Sequence, residues 1–146
     1  MAPLPQNNQK PSNPKPKVGV IAIVWQQEQV LLVKRKFAPH ADHWGFPGGK
    51  LEWGETMAQG ATRELLEETA IQAEMDAPFA CFDVLENGAD GELAHHYVMV
   101  AVVGHYVRGQ AQAADDAEDV GWFSPVALPS PLCPDLTEII KRSRQD

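Results

Sequence analysis

The sequence has only two cysteines, Cys81 and Cys133, no long apolar run and no excess of positive charge. Two cysteines cannot build a disulfide scaffold, and neither lies in a recognisable metal or redox motif, so both read as thiols without function. No apolar stretch approaches the roughly 18 residues that span a bilayer, and the first residues lack the apolar segment of a secretory signal. A cytoplasmic protein with no membrane partner is expected. Twelve Lys and Arg stand against 20 Asp and Glu, a formal charge of −8, which argues against a surface for DNA or RNA phosphate. The same balance suits a small or metal-complexed partner. No internal repeat is visible.

What is present fits one ordinary domain: 146 residues, 44% of them apolar, are enough to close a single core. Residues 1–17, "MAPLPQNNQKPSNPKPK", combine five Pro with Asn, Gln and Lys and read as a disordered tail, leaving residues 18–146 as the domain. "VGVIAIVW" and "VLLVKRK" flank the polar "QQEQ" and predict a hairpin of two largely buried strands. A loop, "FAPHADHWGFPGG", leads to Thr56, which can cap a helix running to about Ala70. "AEMDAPFACFDVLE" and "ELAHHYVMVAVVGHYV" around "NGADG" predict a second hairpin. An acidic stretch, "ADDAEDVG", precedes a brief strand at Trp122 and Phe123. "PDLTEIIKRSR" can close the chain as a helix, with Asp135 near its start and Lys141, Arg142 and Arg144 near its end. The pattern is α/β, with hairpins rather than βαβ repeats.

The first helix raises the functional question. At about 100° per residue, Ala58, Ala61, Leu65 and Thr69 share one narrow face, while Glu64, Glu67 and Glu68 occupy an arc about 100° wide beside it. Like charges at these spacings cost an isolated helix roughly 0.2–0.5 kcal/mol per pair, and Arg63 alone cannot neutralise three carboxylates. Carboxylates are hard oxygen donors suited to magnesium or manganese, so spacing alone leaves a metal site and a merely acidic surface equally open.

The flanking residues resolve that choice. Gly49, five residues, Glu55, seven residues and then "RELLEETAI" resemble the Nudix box. Gly49, Glu55, Arg63, Glu64, Glu67 and Glu68 match its fixed positions, and Leu65 and Ile71 its aliphatic ones. At typical residue frequencies near 7%, six such matches arise by chance on the order of 10⁻⁷ times per starting position. Ala70 departs from the pattern, which has Gly there; a left-handed exit from the helix would strain its Cβ. Resemblance extends through "GFPGGK" before the box and "GWFSPVALP" after it, over roughly residues 18–130.

The resemblance implies a Nudix hydrolase: an α/β/α sandwich around a mixed β-sheet that hydrolyses a nucleoside diphosphate linked to another moiety, using Mg²⁺ or Mn²⁺. It would make Glu67 and Glu68 the main metal ligands and Glu64 a further ligand or water-orienting base, with the Gly48 carbonyl completing the shell. Gly49, Glu55 and Arg63 would support the loop and helix. A carboxylate from a later loop often assists in this family; Asp116 is the choice here, with Asp115, Glu118 and Glu92 as alternatives. Arg35, at the end of the second strand, would contact phosphate. The surroundings look most like ADP-ribose pyrophosphatase-type members. A nucleoside triphosphate pyrophosphohydrolase acting on damaged nucleotides is the alternative enzyme, and a non-catalytic nucleotide-sensing module the alternative class, against which the intact carboxylates weigh. A nucleotide is the expected partner, and a homodimer is left open.

Other residues read more blandly. His40 and His43 without further ligands are better explained as polar loop residues than as a zinc site. His95 and His96 fall on opposite strand faces, so at most one could line the active site. Trp44 and Phe46 could stack on a base, but core packing is the commoner fate of such aromatics.

Overall fold

The computed structural model describes residues 13–144. Its elements are β1 (Lys17–Gln26), β2 (Gln29–Arg35), β3 (Trp44–Gly45), β4 (Gly48–Lys50), α1 (Met57–Thr69), β5 (Gln72–Asn87), β6 (Leu93–Arg108), β7 (Ala117–Phe123) and α2 (Leu136–Ser143). The seven strands form one mixed sheet in the order β3-β2-β1-β6-β5, with β4 added to β1 and β7 to β2. Of the expected tail, residues 1–12 lie outside the described residues, and Lys17 already belongs to β1.

β1 is the organising strand. It runs parallel to β6 from Lys17 to Trp25, and its other edge is divided: β4 takes Gly19–Ile21, whereas β2 pairs only at Trp25 and Gln26. The first hairpin therefore forms at its turn and then opens. β2 leaves to pair antiparallel with β7 from Val30 to Arg35. The expected brief strand at Trp122 and Phe123 is longer than its sequence suggests, because Ala117–Gly121 of the acidic stretch also pair with β2.

The continuous apolar run of β1 follows from burial on both faces. Val20, Ala22 and Val24 pack with Ala61 and Leu65 of α1, together with Leu31, Ile71 and Val102. Ile21, Ile23 and Trp25 pack with Leu136, Ile139 and Ile140 of α2, together with Leu32, Trp44 and Phe46. One helix on each side of the sheet gives the α/β/α sandwich. Full burial of a side chain such as Leu65 contributes about 1.5–3 kcal/mol. Trp44 and Phe46 are thus core residues. Cys81 and Cys133 are free thiols. No helix among the described residues is long and apolar enough to cross a membrane.

Both ends of α1 are fixed by local chemistry. Gln59 N–H donates to Thr56 Oγ1 (3.1 Å), and Thr56 N–H donates to Gln59 Oε1 (2.9 Å), a reciprocal capping box. At the other end Ala70 leaves the helix with φ 63°, and its N–H donates to the Leu66 carbonyl. The left-handed exit is therefore present without the usual glycine. α2 is held differently: Asp135 precedes it in a left-handed conformation without capping it through its side chain, and Arg144 lies 3.7 Å from the centre of the Trp25 ring.

Candidate active site

α1 and the β4 loop bring the box residues together. Arg63 is the hub: its Nε and Nη2 donate to the two carboxylate oxygens of Glu55 (2.6 and 3.0 Å), and Nη2 also donates to the Lys50 carbonyl (3.0 Å). Its Nη1 donates to Glu64 (2.8 Å) and Glu67 (3.3 Å). Glu55 also accepts from the Glu52 N–H (2.9 Å), and these donors hold its carboxyl below the usual range, Arg63 contributing most. Glu55, and after it Glu64, push the Arg63 pKa upward. At Gly49 a Cβ would stand 2.7 Å from both Glu64 carboxylate oxygens and would push that side chain from its present position.

Glu68 differs from its neighbours. Sequence spacing placed it on a surface arc, yet only 5% of it is exposed, whereas the Glu67 side chain is 46% exposed. The Gly48 N–H donates to Glu68 Oε1 at 3.2 Å. Burial, followed by the charge of Glu64, pushes the Glu68 pKa up to about 8, with Asp116 adding and the Gly48 amide and Arg35 opposing. Glu64 is also raised, chiefly by burial and against the pull of Arg63. Among the described residues, no three His, Cys, Asp or Glu side chains converge tightly enough to form a ready cation cage. Arg63 draws two of the carboxylates toward itself, while the Gly48 amide holds the third.

The later loop joins this surface through backbone bonds. Gln112 N–H donates to the Thr69 carbonyl (2.9 Å), and Ala114 N–H to the Glu68 carbonyl (3.0 Å), satisfying acceptors that the end of α1 leaves open. Lys36 N–H donates to the Asp116 carbonyl (3.1 Å), and Lys36 Nζ to the Asp115 carbonyl (2.7 Å). The result is a cleft of about 450 Å³ lined by Lys36, Phe37, Glu64, Glu67, Glu68, Asp115 and Asp116.

Of the later carboxylates weighed from sequence, Asp116 and Asp115 reach this cleft. Glu118 lies on β7 and pairs with Lys34 (3.9 Å), while Glu92 belongs to the β5–β6 turn; neither lines it. Arg35 does not line the cleft either, although its charge lowers the Glu68 pKa; its Nε donates to the Pro39 carbonyl (2.7 Å). Lys36 and Phe37 were missed. The only hint was their position directly after Arg35. His40 faces Glu86 across 3.6 Å, and His43 Nδ1 lies 2.9 Å from the Ala41 carbonyl oxygen, which fits polar loop roles. His95 and His96 line a separate groove against Pro14–Lys17.

The mixed sheet lies between two helices and carries a carboxylate-lined cleft bounded by α1, the residues after β2 and the Asp115–Asp116 loop. The chain belongs to the NUDIX family, whose domain model matches residues 15–143. It is 29% identical over 126 residues to the ADP-ribose pyrophosphatase of Methanocaldococcus jannaschii, covering 86% of this chain and 72% of that one. It is 33% identical over 116 residues to a Bacillus subtilis protein provisionally named 8-oxo-dGTP diphosphatase, covering 78% of this chain and 70% of that one. A crystal structure of a MutT NUDIX hydrolase from Burkholderia pseudomallei superposes with a TM-score of 0.76 at 32% identity, covering 88% of this chain and 98% of that one.

Proposed function

We propose that the cleft holds a divalent cation, magnesium or manganese, and that the enzyme hydrolyses the pyrophosphate linkage of a nucleoside diphosphate joined to another moiety, ADP-ribose or a related nucleotide sugar. The observation that carries this reading is that Asp115, Asp116, Glu64, Glu67 and Glu68 all line one cleft. The donor set fits the ion: hard carboxylate oxygens suit either cation, and Glu68 is a buried carboxylate crowded by like charge. When bound, the cation would neutralise phosphate oxygens and lower the pKa of a bound water.

Each residue then has a distinct task. Glu67 and Glu68 would hold the ion, Glu64 would serve as a further ligand or orient water, and the Gly48 carbonyl would be an additional donor. Arg63 fixes Glu64 and Glu67 while Glu55 fixes Arg63, so that the ligand carboxylates are oriented from behind. Asp116 accepts the proton of the attacking water. Water adds to one phosphorus, the bridging P–O bond breaks, and two monophosphates leave. Lys36, which lines the cleft, meets the charge of the phosphates.

The archaeal relative's name supports an ADP-ribose-type substrate, and its alignment spans most of this chain. The name of the Bacillus relative supports a second reading, a nucleoside triphosphate pyrophosphohydrolase. A panel of ADP-ribose, nucleotide sugars, dinucleotides and nucleoside triphosphates, incubated with magnesium and read by product mass, separates them. Paired monophosphates from ADP-ribose or a nucleotide sugar support the first reading. Pyrophosphate release from a triphosphate as the preferred reaction replaces it with the second, and binding without turnover contradicts both.

A further inference from the structure

Residues 36–43 form a strap between β2 and β3. Its base is closed by backbone bonds: Arg35 N–H donates to the His43 carbonyl (2.9 Å), Asp42 N–H to the Arg35 carbonyl (2.8 Å) and His43 N–H to the His40 carbonyl (3.2 Å). Phe37–His40 are half-buried, so the strap lies against the molecule. Its far point is His40, whose Nδ1 is 3.6 Å from Glu86 Oε2 on β5. Because β1 and β6 lie between β2 and β5 in the sheet, this contact carries the strap across the end of the sheet. The strap also starts at the cleft, which its first two residues, Lys36 and Phe37, help to line.

Charge under the strap is one-sided. Arg35 Nε donates to the Pro39 carbonyl (2.7 Å) rather than to a carboxylate, and the His40 and His43 rings stand 5.9 Å apart. His95, cross-strand from Glu86, adds a third imidazole, whose buried Nε2 has no hydrogen-bond partner among the described residues. Glu86 is the carboxylate that faces this group. With the imidazoles neutral, one cation stands near one carboxylate; protonation of His40 and His43 would set three cations around it at a partly buried site. Burial holds the His40 pKa below its ordinary 6.5 against the pull of Glu86, and His43 and Arg35 add to the depression. His40 and Asp42 also keep left-handed φ values of 62° and 65°, a strain that opening would release.

We infer that residues 36–43 are a pH-sensitive lid on the edge of the cleft, lifted by protonation of His40 and restrained by Glu86. A histidine whose protonation is disfavoured in the closed form stabilises that form above its ordinary pKa, and the contribution is lost as pH falls through the depressed value. The lid therefore loosens below pH 6.5. An open strap would carry Phe37 away from the cleft wall, so the cleft keeps its shape at neutral pH and loses it on acidification.

Hydrogen exchange followed by NMR on the full chain, between about pH 5 and 8, reads the lid without turnover. The protection factors of the Asp42 and His43 amides report on the strap, and the amides shared by β1 and β6 report on the fold. In wild type the strap amides should lose about 2- to 5-fold in protection on acidification, the range for a charge interaction at a partly exposed site, while the sheet amides hold. Glu86→Gln should steepen that loss. His40→Asn, whose side chain tolerates left-handed backbone, should abolish it. The titration of the His40 ring in Glu86→Gln, which should move to lower pH, keeps the test open if His40→Asn does not fold. Strap protection independent of pH in wild type, a loss that persists in His40→Asn, an unshifted His40 titration in Glu86→Gln, or an equal loss in the sheet amides would overturn the inference. Absence of hydrolysis across the substrate panel would count against the hydrolase reading alone.

Discussion

The N–H of Ala114 donates to the carbonyl of Glu68 at 3.0 Å, so the loop carrying Asp115 and Asp116 is fastened to the helix turn that carries the most buried carboxylate of the cleft. The bond spans a long stretch of chain, yet it involves only backbone atoms. It brings a later-loop carboxylate to the box without any sequence motif.

Asp116→Asn keeps the size of the side chain and removes its charge. Because the backbone bonds that hold the loop remain, stability should change by less than about 0.5 kcal/mol. Turnover should fall by roughly 10²-fold or more, as expected for loss of a proton acceptor or metal ligand. Initial rates with saturating magnesium, together with urea midpoints, check both halves. Unchanged rates would remove Asp116 from the mechanism.

The Glu55 carboxylate is held by two Arg63 hydrogen bonds, and its pKa is depressed. A depressed acid stabilises the fold above its unfolded pKa and loses that contribution as pH falls through its folded pKa. Glu55→Gln should therefore lower stability at neutral pH by about 1 kcal/mol, because charge-assisted bonds are replaced by weaker ones. It should also flatten the acid limb below pH about 4. Activity should fall as well, since Arg63 would no longer be anchored against Glu64 and Glu67. Urea unfolding at several acidic pH values measures the stability change directly.

Glu68 predicts the opposite slope. Its folded pKa is raised to about 8, so in the metal-free protein the carboxyl stabilises least when ionised. Its favourable contribution is complete below the unfolded value near 4.3 and is lost as pH rises toward about 8. In chelator, stability should decline across that window. Glu68→Gln should reduce the decline, and magnesium should reverse it in wild type, because a bound cation favours the ionised form. A wild-type profile equally steep in Glu68→Gln would assign the slope to another group.

Ala70 has φ 63°, a conformation that strains a residue with a Cβ. Ala70→Gly should stabilise the protein by about 1 kcal/mol. Gly109, with φ 113°, sits against this exit, where a Cβ would come 2.6 Å from the Ala70 carbonyl oxygen. Gly109→Ala should therefore destabilise by about 1–3 kcal/mol. Denaturant midpoints at equal slope measure both changes.

Local chemistry made much of the molecule legible in its sequence. Thr56 announced the start of α1, the polar breaks announced both hairpins, and the box spacing grouped Glu55, Arg63, Glu64, Glu67 and Glu68. The left-handed exit at Ala70 is left open by the sequence, because alanine stands where the pattern has glycine. The illegible features arise from contacts between distant segments. The parallel pairing of β1 with β6 leaves no local signature, and neither does the loss of β1 pairing when β2 turns to β7. Burial of Glu68 depends on what the β4 and Ala114 segments place around it, so helix periodicity could not separate it from Glu67. Lys36 entered the site through its N–H bond to the Asp116 carbonyl, which any residue type could make, and Phe37 follows it in the chain.

The central claim is that Glu67 and Glu68 hold a catalytic cation rather than the fold together. The most direct measurement is the magnesium dependence of pyrophosphate-bond hydrolysis in wild type, Glu67→Gln and Glu68→Gln, paired with urea unfolding in chelator at neutral pH. Turnover and apparent magnesium affinity should both fall in each variant, because the amide keeps the size but not the charge that a hard cation requires. Stability in chelator should hold or rise, since Glu68→Gln removes a buried carboxyl that ionises unfavourably and Glu67→Gln changes a half-exposed side chain. Full hydrolysis by both variants at unaltered magnesium dependence would contradict the account and leave α1 as a charged helix whose carboxylates do no chemistry.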